Sequence, residues 1–331
     1  MAAAVTTVLG PVEPTQLGRV LLHEHLGSLL PGGWMGSPID AAVSAVEALR
    51  DQGVRTVVDL SPYGVVGRDP DGANAVALVE IAERTGVNVV AGTAVYLESF
   101  APGWALEATI EELTARFVRD LDHGIGASGV RAGILGEQAT GLGVISPFEE
   151  RSFRAAVRAH RETGAALMTH TTHGTRAHDQ VDMAIAEGAD LDRVVIGHVD
   201  TQLDLDYART LLDRGVLIAF DTIGKQVWDF FLGPAGHPVG DGEFAKRAYF
   251  RSDATRADMI AALVAQGYAD RLVLAHDLTG AESWMNPTTH GVHGYRYLID
   301  VFVPMLRDRG LGEASIEQML QSTPARLLTL C

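Results

Sequence analysis

Short apolar runs rich in β-branched residues alternate along the chain with longer stretches whose apolar positions recur every three to four residues. Eight such runs stand out: "RVLLHEH" (19–25), "RTVVDLS" (55–61), "NVVAGTAVY" (88–96), "VRAGILGE" (130–137), "AALMTH" (165–170), "RVVIGH" (193–198), "VLIAFDT" (216–222) and "RLVLAHD" (271–277). Several are nearly continuous apolar runs, the pattern of parallel strands covered on both faces. Between them lie segments such as "DAAVSAVEALRDQG", "PFEERSFRAAVRAHRETG" and "ATRADMIAALVAQG", with helical spacing and a terminal glycine. Eight β–α units without a compositional break predict a single-domain (β/α)8 TIM barrel of the α/β class. An open doubly wound sheet is the competing fold. The lack of a glycine-rich dinucleotide fingerprint after the first run counts against it. Residues 1–18 are then a lead-in to the barrel. Residues 223–252, which contain "GPAGHPVGDGEF", are the one long interruption. They are expected to form a substrate loop or lid, with a plain surface excursion as the alternative.

Composition narrows the function. The formal net charge is −16, so a nucleic-acid partner is not expected, because phosphate binding needs a basic face. The single cysteine is Cys331, which excludes an internal disulfide and a cysteine-ligated zinc. Any metal must be held by His, Asp and Glu. The first residues, "MAAAVTTVLGPVEP", lack the basic and apolar regions of a signal peptide, and no run is long enough to span a bilayer. A cytoplasmic protein is the expectation.

Barrel active sites lie at the C-terminal ends of the strands. Here those ends carry His23 and His25, Ser61, Tyr96, Glu137, His170, His198, Asp221 and Asp277. In "HEH", alternation along an extended strand puts His23 and His25 on one face and Glu24 on the other. A lone histidine at a strand end is more often a hydrogen-bonded structural residue than a ligand. Burying even one neutral polar group without a partner costs roughly 2–7 kcal/mol, so a whole ring of them needs a common partner. One divalent metal ion, or a pair, is the simplest. Imidazole and carboxylate ligands suit Zn2+, with Mn2+, Co2+ or Ni2+ also accommodated. Among the other histidines, His123 and His160 fall in helical patterns and are expected to face solvent. His276 should point away from the barrel axis. His173 and His178 follow the fifth run, placed either to reach the mouth or to start the next helix, and His237, His290 and His293 fall in loops near it.

The stretches "VLGPVEPTQLGRVLLHEHL", "AGILGE", "VVIGHVD", "FDTIGK", "RLVLAHD" and "HGYRYLIDVFVPMLRDRG" carry a resemblance. The chain resembles the phosphotriesterase family of the amidohydrolase superfamily, in particular phosphotriesterase-related proteins, from residue 8 to about residue 310. The resemblance implies a binuclear metal centre. His23, His25 and Asp277 match the ligands of the buried metal, and His170 and His198 those of the exposed one. The carboxylated lysine that bridges the metals in phosphotriesterases proper has no counterpart in "AGILGEQATG". The stretch is similar instead to the glutamate-bridged branch, which makes Glu137 the bridge. Asp221 is followed by Thr222 where the phosphotriesterase proton relay has a histidine, which counts against efficient phosphotriester hydrolysis. Tyr96 matches a tyrosine that lactonases place beside the metals, and Lys225 a lysine some members use on anionic substrates. The loop "LTGAESWMNPTTHG" lacks the arginine of sugar-phosphate lactonases.

The implied chemistry is hydrolysis with two divalent metal ions. Asp277 is the candidate general base and Tyr96 a candidate donor to the substrate oxygen, packing being the alternative for Tyr96. Lys225, Tyr96 and His173 are the candidate substrate contacts. A lactone or carboxylic ester is the first expectation, with weak phosphotriesterase activity. An amidase of small N-acylated anionic compounds comes second. A metal-containing binding protein without turnover is the alternative of another class. The expected partner is a small-molecule substrate, with no nucleic acid or membrane; a homodimer is compatible with the sequence.

Overall fold

A computed structural model of the chain describes residues 3–28, 37–231 and 246–330. Eight parallel strands stand in consecutive order: β1 (Arg19–Glu24), β2 (Val54–Asp59), β3 (Asn88–Thr93), β4 (Ala132–Thr140), β5 (Leu167–Thr171), β6 (Val194–Ile196), β7 (Leu217–Phe220) and β8 (Leu272–Leu274). Each sequence run supplies one of them. Helices cover the outside, including α1 (Pro38–Arg50), α2 (Val76–Thr85), α3 (Ile110–Asp122), α4 (Pro147–Thr163), α5 (Ala177–Ala186), α6 (Leu205–Leu212) and α7 (Asp253–Ala265). The ends of α4 show how local chemistry sets them. Ser146 and Glu149 form a capping box ahead of Pro147, and Gly164 takes the left-handed conformation at the other end. This is a (β/α)8 barrel.

Two apolar layers hold it together. Leu21, Val57, Leu135, Ile196 and Ile218 face the helices. Val20, Leu22, Val58, Val90, Ile134, Met168, Val195, Leu217 and Val273 fill the barrel itself. The lead-in strands Ala4–Thr7 and Gly10–Val12 pair with each other, and the first also pairs with Thr329–Leu330. Val5, Leu17, Leu327 and Leu328 from these segments join the interior layer.

The seam between β1 and β8 is closed at the mouth. Asp277 N–H donates to the His23 carbonyl at 3.0 Å. The Glu24 carboxylate accepts from the backbone of His276 at 3.0 Å and of Leu278 at 3.1 Å, and pairs with His276 Nδ1 at 2.8 Å. His276 thus faces away from the axis, as alternation requires, and Glu24 is what it faces.

Residues 223–252 contain two antiparallel strands, Val227–Phe231 and Lys246–Phe250. Residues 232–245, with His237, lie outside the described residues. Asn286 fixes the base of the hairpin by bonding both backbone groups of Val227, at 2.7 and 3.0 Å. Among the described residues no helix is long and apolar enough to cross a membrane.

Candidate metal centre

Within the barrel the inward-facing positions of β1 are Val20 and Leu22, so unbroken alternation would send His23 outward. It does not, because the pairing register between β1 and β2 shifts between Leu21 and Glu24. A second shift, between Leu135 and Gln138 on β4, similarly turns Glu137 inward after Ile134. β5 needs no such device, since Met168 and His170 share its inner face. His198 and Asp277 reach the mouth through left-handed backbone, with φ of 57° and 51°. Such geometry costs about 1–3 kcal/mol per non-glycine residue and concentrates at functional sites. Gly197 is required beside His198, because a Cβ there would lie 2.0 Å from the Thr169 carbonyl oxygen.

These devices bring six side chains together. Glu137 lies 3.4 Å from the Nε2 atoms of His23, His25 and His198, and 3.0 Å from His170 Nδ1. Asp277 Oδ1 lies 2.8 Å from His25 Nε2 and 3.6 Å from His23 Nε2. Two ligand groups result, one of His23, His25, Glu137 and Asp277 and one of Glu137, His170 and His198, with Glu137 common to both.

The far side of each imidazole decides what the near side offers. His23 Nδ1 and His198 Nδ1 both face Asp221, at 2.8 and 3.0 Å. His25 Nδ1 meets the Ser61 hydroxyl at 3.1 Å, and that hydroxyl donates to the Val66 carbonyl, so it accepts from the ring. His170 is turned round: its Nε2 meets the Thr172 hydroxyl, which donates to the Thr140 carbonyl. Each ring therefore carries its proton outward and aims a lone pair at the centre. Such outer partners fix tautomer and orientation in metal sites. Among the described residues the buried Nε2 atoms of His23 and His25 meet no donor; what faces them is the Glu137 and Asp277 carboxylates. Clustered, unanswered lone pairs beside two carboxylates fit divalent cations.

The carboxylates mark the same centre by their charge. Burial alone would favour neutral imidazoles, but Glu137 and Asp277 outweigh it and hold His23 up at about 9 and His25 at about 10, so that without cations these rings take a second proton on the inner face, where a bound cation would replace it. Burial would raise the Asp277 carboxyl, yet Lys225 and His23 pull it well below the usual range. Burial would likewise raise Asp221, and His198 and His23 keep it ionised. Burial, then the Glu137 charge, pushes the Tyr96 phenol well above its ordinary value, so it stays a donor. Its hydroxyl lies 3.2 Å from the His170 ring nitrogens.

The other predicted residues are placed as follows. Lys225 is buried, its Nζ 2.5 Å from Asp277 Oδ2 and 3.3 Å from Glu282 Oε1. His173 is buried just beyond β5, with φ of 53°. His178 bonds Thr210 and His290 the Ile223 carbonyl, and neither joins the ligand groups. His123 is exposed as expected, but His160 is not. It is buried, with Nδ1 2.7 Å from the Ala165 carbonyl and Nε2 accepting from Asp190 N–H, because a neutral imidazole can serve both neighbours at once.

Sequence reasoning missed Arg256, whose guanidinium is completely buried in α7. It donates to Asp200, Asp253, Thr222 and the carbonyls of Arg251 and Lys225. Asp200 also accepts from the Thr222 hydroxyl at 2.7 Å. The guanidinium thus ties the turn after His198 to the turn after Asp221. One signal was present: Arg256 shares a helical stripe with Ile260 and Leu263.

The phosphotriesterase family model matches residues 3–328. The chain belongs to the phosphotriesterase family. It is 31% identical to the phosphotriesterase homology protein of Escherichia coli, over 95% of this chain and 98% of that protein. It is 27% identical to an N-acetyltaurine hydrolase of Danio rerio, over 98% and 97%. Among solved structures, one from the engineering of organophosphate hydrolysis on a weak promiscuous lactonase template superposes with a TM-score of 0.79 at 31% identity, covering 98% and 99%. The E. coli protein with phosphate in its active site gives 0.78 at 30%, covering 95% and 99%. With that membership and its two ligand groups, the chain is a metal-dependent hydrolase with a binuclear metal-binding site. The alternative of a binding protein without turnover falls away.

Proposed function

We propose that this phosphotriesterase-family member hydrolyses lactones or other carboxylic esters, with His23, His25, Glu137, His170, His198 and Asp277 holding two divalent ions, Zn2+ first among them. The observation that carries the reading is the Tyr96 hydroxyl, a protonated donor standing against His170 at the edge of the ligand cluster. It is placed to donate to the acyl oxygen as negative charge develops there. Bound divalent ions would lower the pKa of a water and polarise the ester carbonyl.

Everything else is done by the chain. Glu137 holds the two ligand groups at one spacing. Asp221 and Ser61 keep His23, His25 and His198 in the tautomer that presents Nε2. Asp277, with Oδ1 facing the histidines and Oδ2 against Lys225 Nζ, is the carboxylate placed to take up the proton of the attacking water and return it to the departing alkoxide. Thr222 does not substitute for a relay histidine: its hydroxyl is spent on Asp200 and Arg256, away from Asp277. That favours a carboxylic ester over a phosphotriester.

An amidase is the second reading, supported by the likeness to N-acetyltaurine hydrolases and by a buried lysine beside Asp277. The test is a panel of lactones, nitrophenyl esters, N-acetyl amino acids and a phosphotriester, run on chelator-stripped protein reloaded with Zn2+, Mn2+, Co2+ or Ni2+. Metal-dependent turnover with lactone or ester kcat/KM at least about 100-fold above the phosphotriester is expected. Higher kcat/KM on the amides or the phosphotriester would replace the ester assignment.

A further inference from the structure

The loops after β7 and β8 meet in a feature that the metal centre does not require. Lys225 Nζ is buried between Asp277 and Glu282. Glu282 is not a drifting surface carboxylate, since its Oε2 accepts from the Thr279 backbone N–H at 3.1 Å and from the Thr279 hydroxyl. That capping box fixes the carboxylate and leaves Oε1 aimed at the lysine.

We propose that Glu282 determines substrate charge specificity: it answers the Lys225 charge from within, so that the site discriminates against substrates carrying a free carboxylate, sulfonate or phosphate. This deepens the ester reading and rests on it. A substrate anion seeking Lys225 meets an ammonium whose charge a fixed carboxylate already balances, so it gains little there to repay its own desolvation. Discrimination of this kind is achieved by an element set against the wrong ligand rather than by added contacts to the right one. Neutral esters and lactones meet no such opposition.

The test compares wild type with Glu282→Gln, since Gln also serves at the third position of a capping box and spares the helix start. Two substrates of similar shape are used, nitrophenyl butyrate and the nitrophenyl monoester of glutaric acid. Glutarate binding to the metal-loaded protein is measured by calorimetry, with metal content assayed alongside. The kcat/KM ratio of anionic over neutral ester is expected to rise about tenfold in the variant, and glutarate to bind about tenfold more tightly. In a Lys225→Met background both effects should vanish, because Glu282 acts through that lysine. An unchanged ratio and unchanged glutarate binding would overturn the proposal, as would an effect that persists without Lys225. Tighter glutarate binding without ester turnover by either protein would uphold the charge assignment and overturn the ester reading instead.

Discussion

Glu137 lies within 3.4 Å of all four imidazoles, so a single carboxylate is shared by both ligand groups. Glu137→Gln keeps the shape and removes the charge. Metal content and kcat are expected to fall together, by more than the about 10–100-fold an outer partner is worth. Two metals per chain with normal turnover, measured by elemental analysis, would remove Glu137 from the bridge. Asp277→Asn keeps one ligand oxygen but accepts no proton, so much of the metal should stay while kcat drops about 10²–10⁴-fold. Near-wild-type turnover at full occupancy would send the search for the base elsewhere. His160 gives a pH prediction. Burial, only partly offset by its bond to Ala165, lowers its pKa below the ordinary imidazole value of about 6.5. The unfolded chain therefore takes up a proton first as pH falls below 6.5, and folded stability declines through that window. His160→Gln should flatten the loss of urea midpoint between pH 7.5 and 5.5, and an equal loss in both proteins would refute the assignment. Ligand types and strand ends were legible in the sequence because β-strand alternation and barrel geometry are local rules. Asp221 showed as a strand-end acid. That it orients His23 and His198 together depends on two strands distant in sequence, and no spacing rule encodes that.

At the scale of elements, the pattern predicted eight strands and the structure has them, with ends moved by a few residues. What the pattern hid is the pair of register shifts. The sequence held a contradiction: Val20 and Leu22 claim one face of β1, and His23 and His25 have the opposite parity. A regular strand cannot place all four inside, so a shift between them was implied but could not be located. His160 was misjudged because helical spacing gives the direction of a face, not how far the neighbouring helix and loop cover it. The tight passage from β6 into His198 makes its own prediction. Gly197→Ala would force a methyl against the Thr169 carbonyl, a cost near the upper end of the about 1–3 kcal/mol typical of overpacking. Urea unfolding should show it, and metal affinity should weaken with it. A variant as stable as wild type would mean the β5–β6 spacing yields more readily than the geometry allows.

For the whole molecule, the candidate ligands come from five strands spread around the ring, so cations bound there clamp the barrel as well as serving chemistry. Metals that bind only the folded chain, each at 100 times its Kd, would together add about 5 kcal/mol of stability. Thermal scans of stripped and reloaded protein should separate clearly, and coincident transitions would show that the ligand set is not closed by the ions. The seam has a further consequence for biosynthesis. His276, which locks onto Glu24, follows it by 252 residues. A ribosome thus releases the two histidines of β1 long before the aspartate that completes their group. Until β8 emerges, a nascent barrel can gather His23, His25, Glu137, His170 and His198 but has neither Asp277 nor the backbone donors that tie off Glu24. A metal ion captured early would be held by an open, incomplete cup, and exchange there should be fast. Secure retention of an ion in that group would therefore wait for chain completion, and tight binding there would mark full-length protein in a population of ribosome-stalled chains.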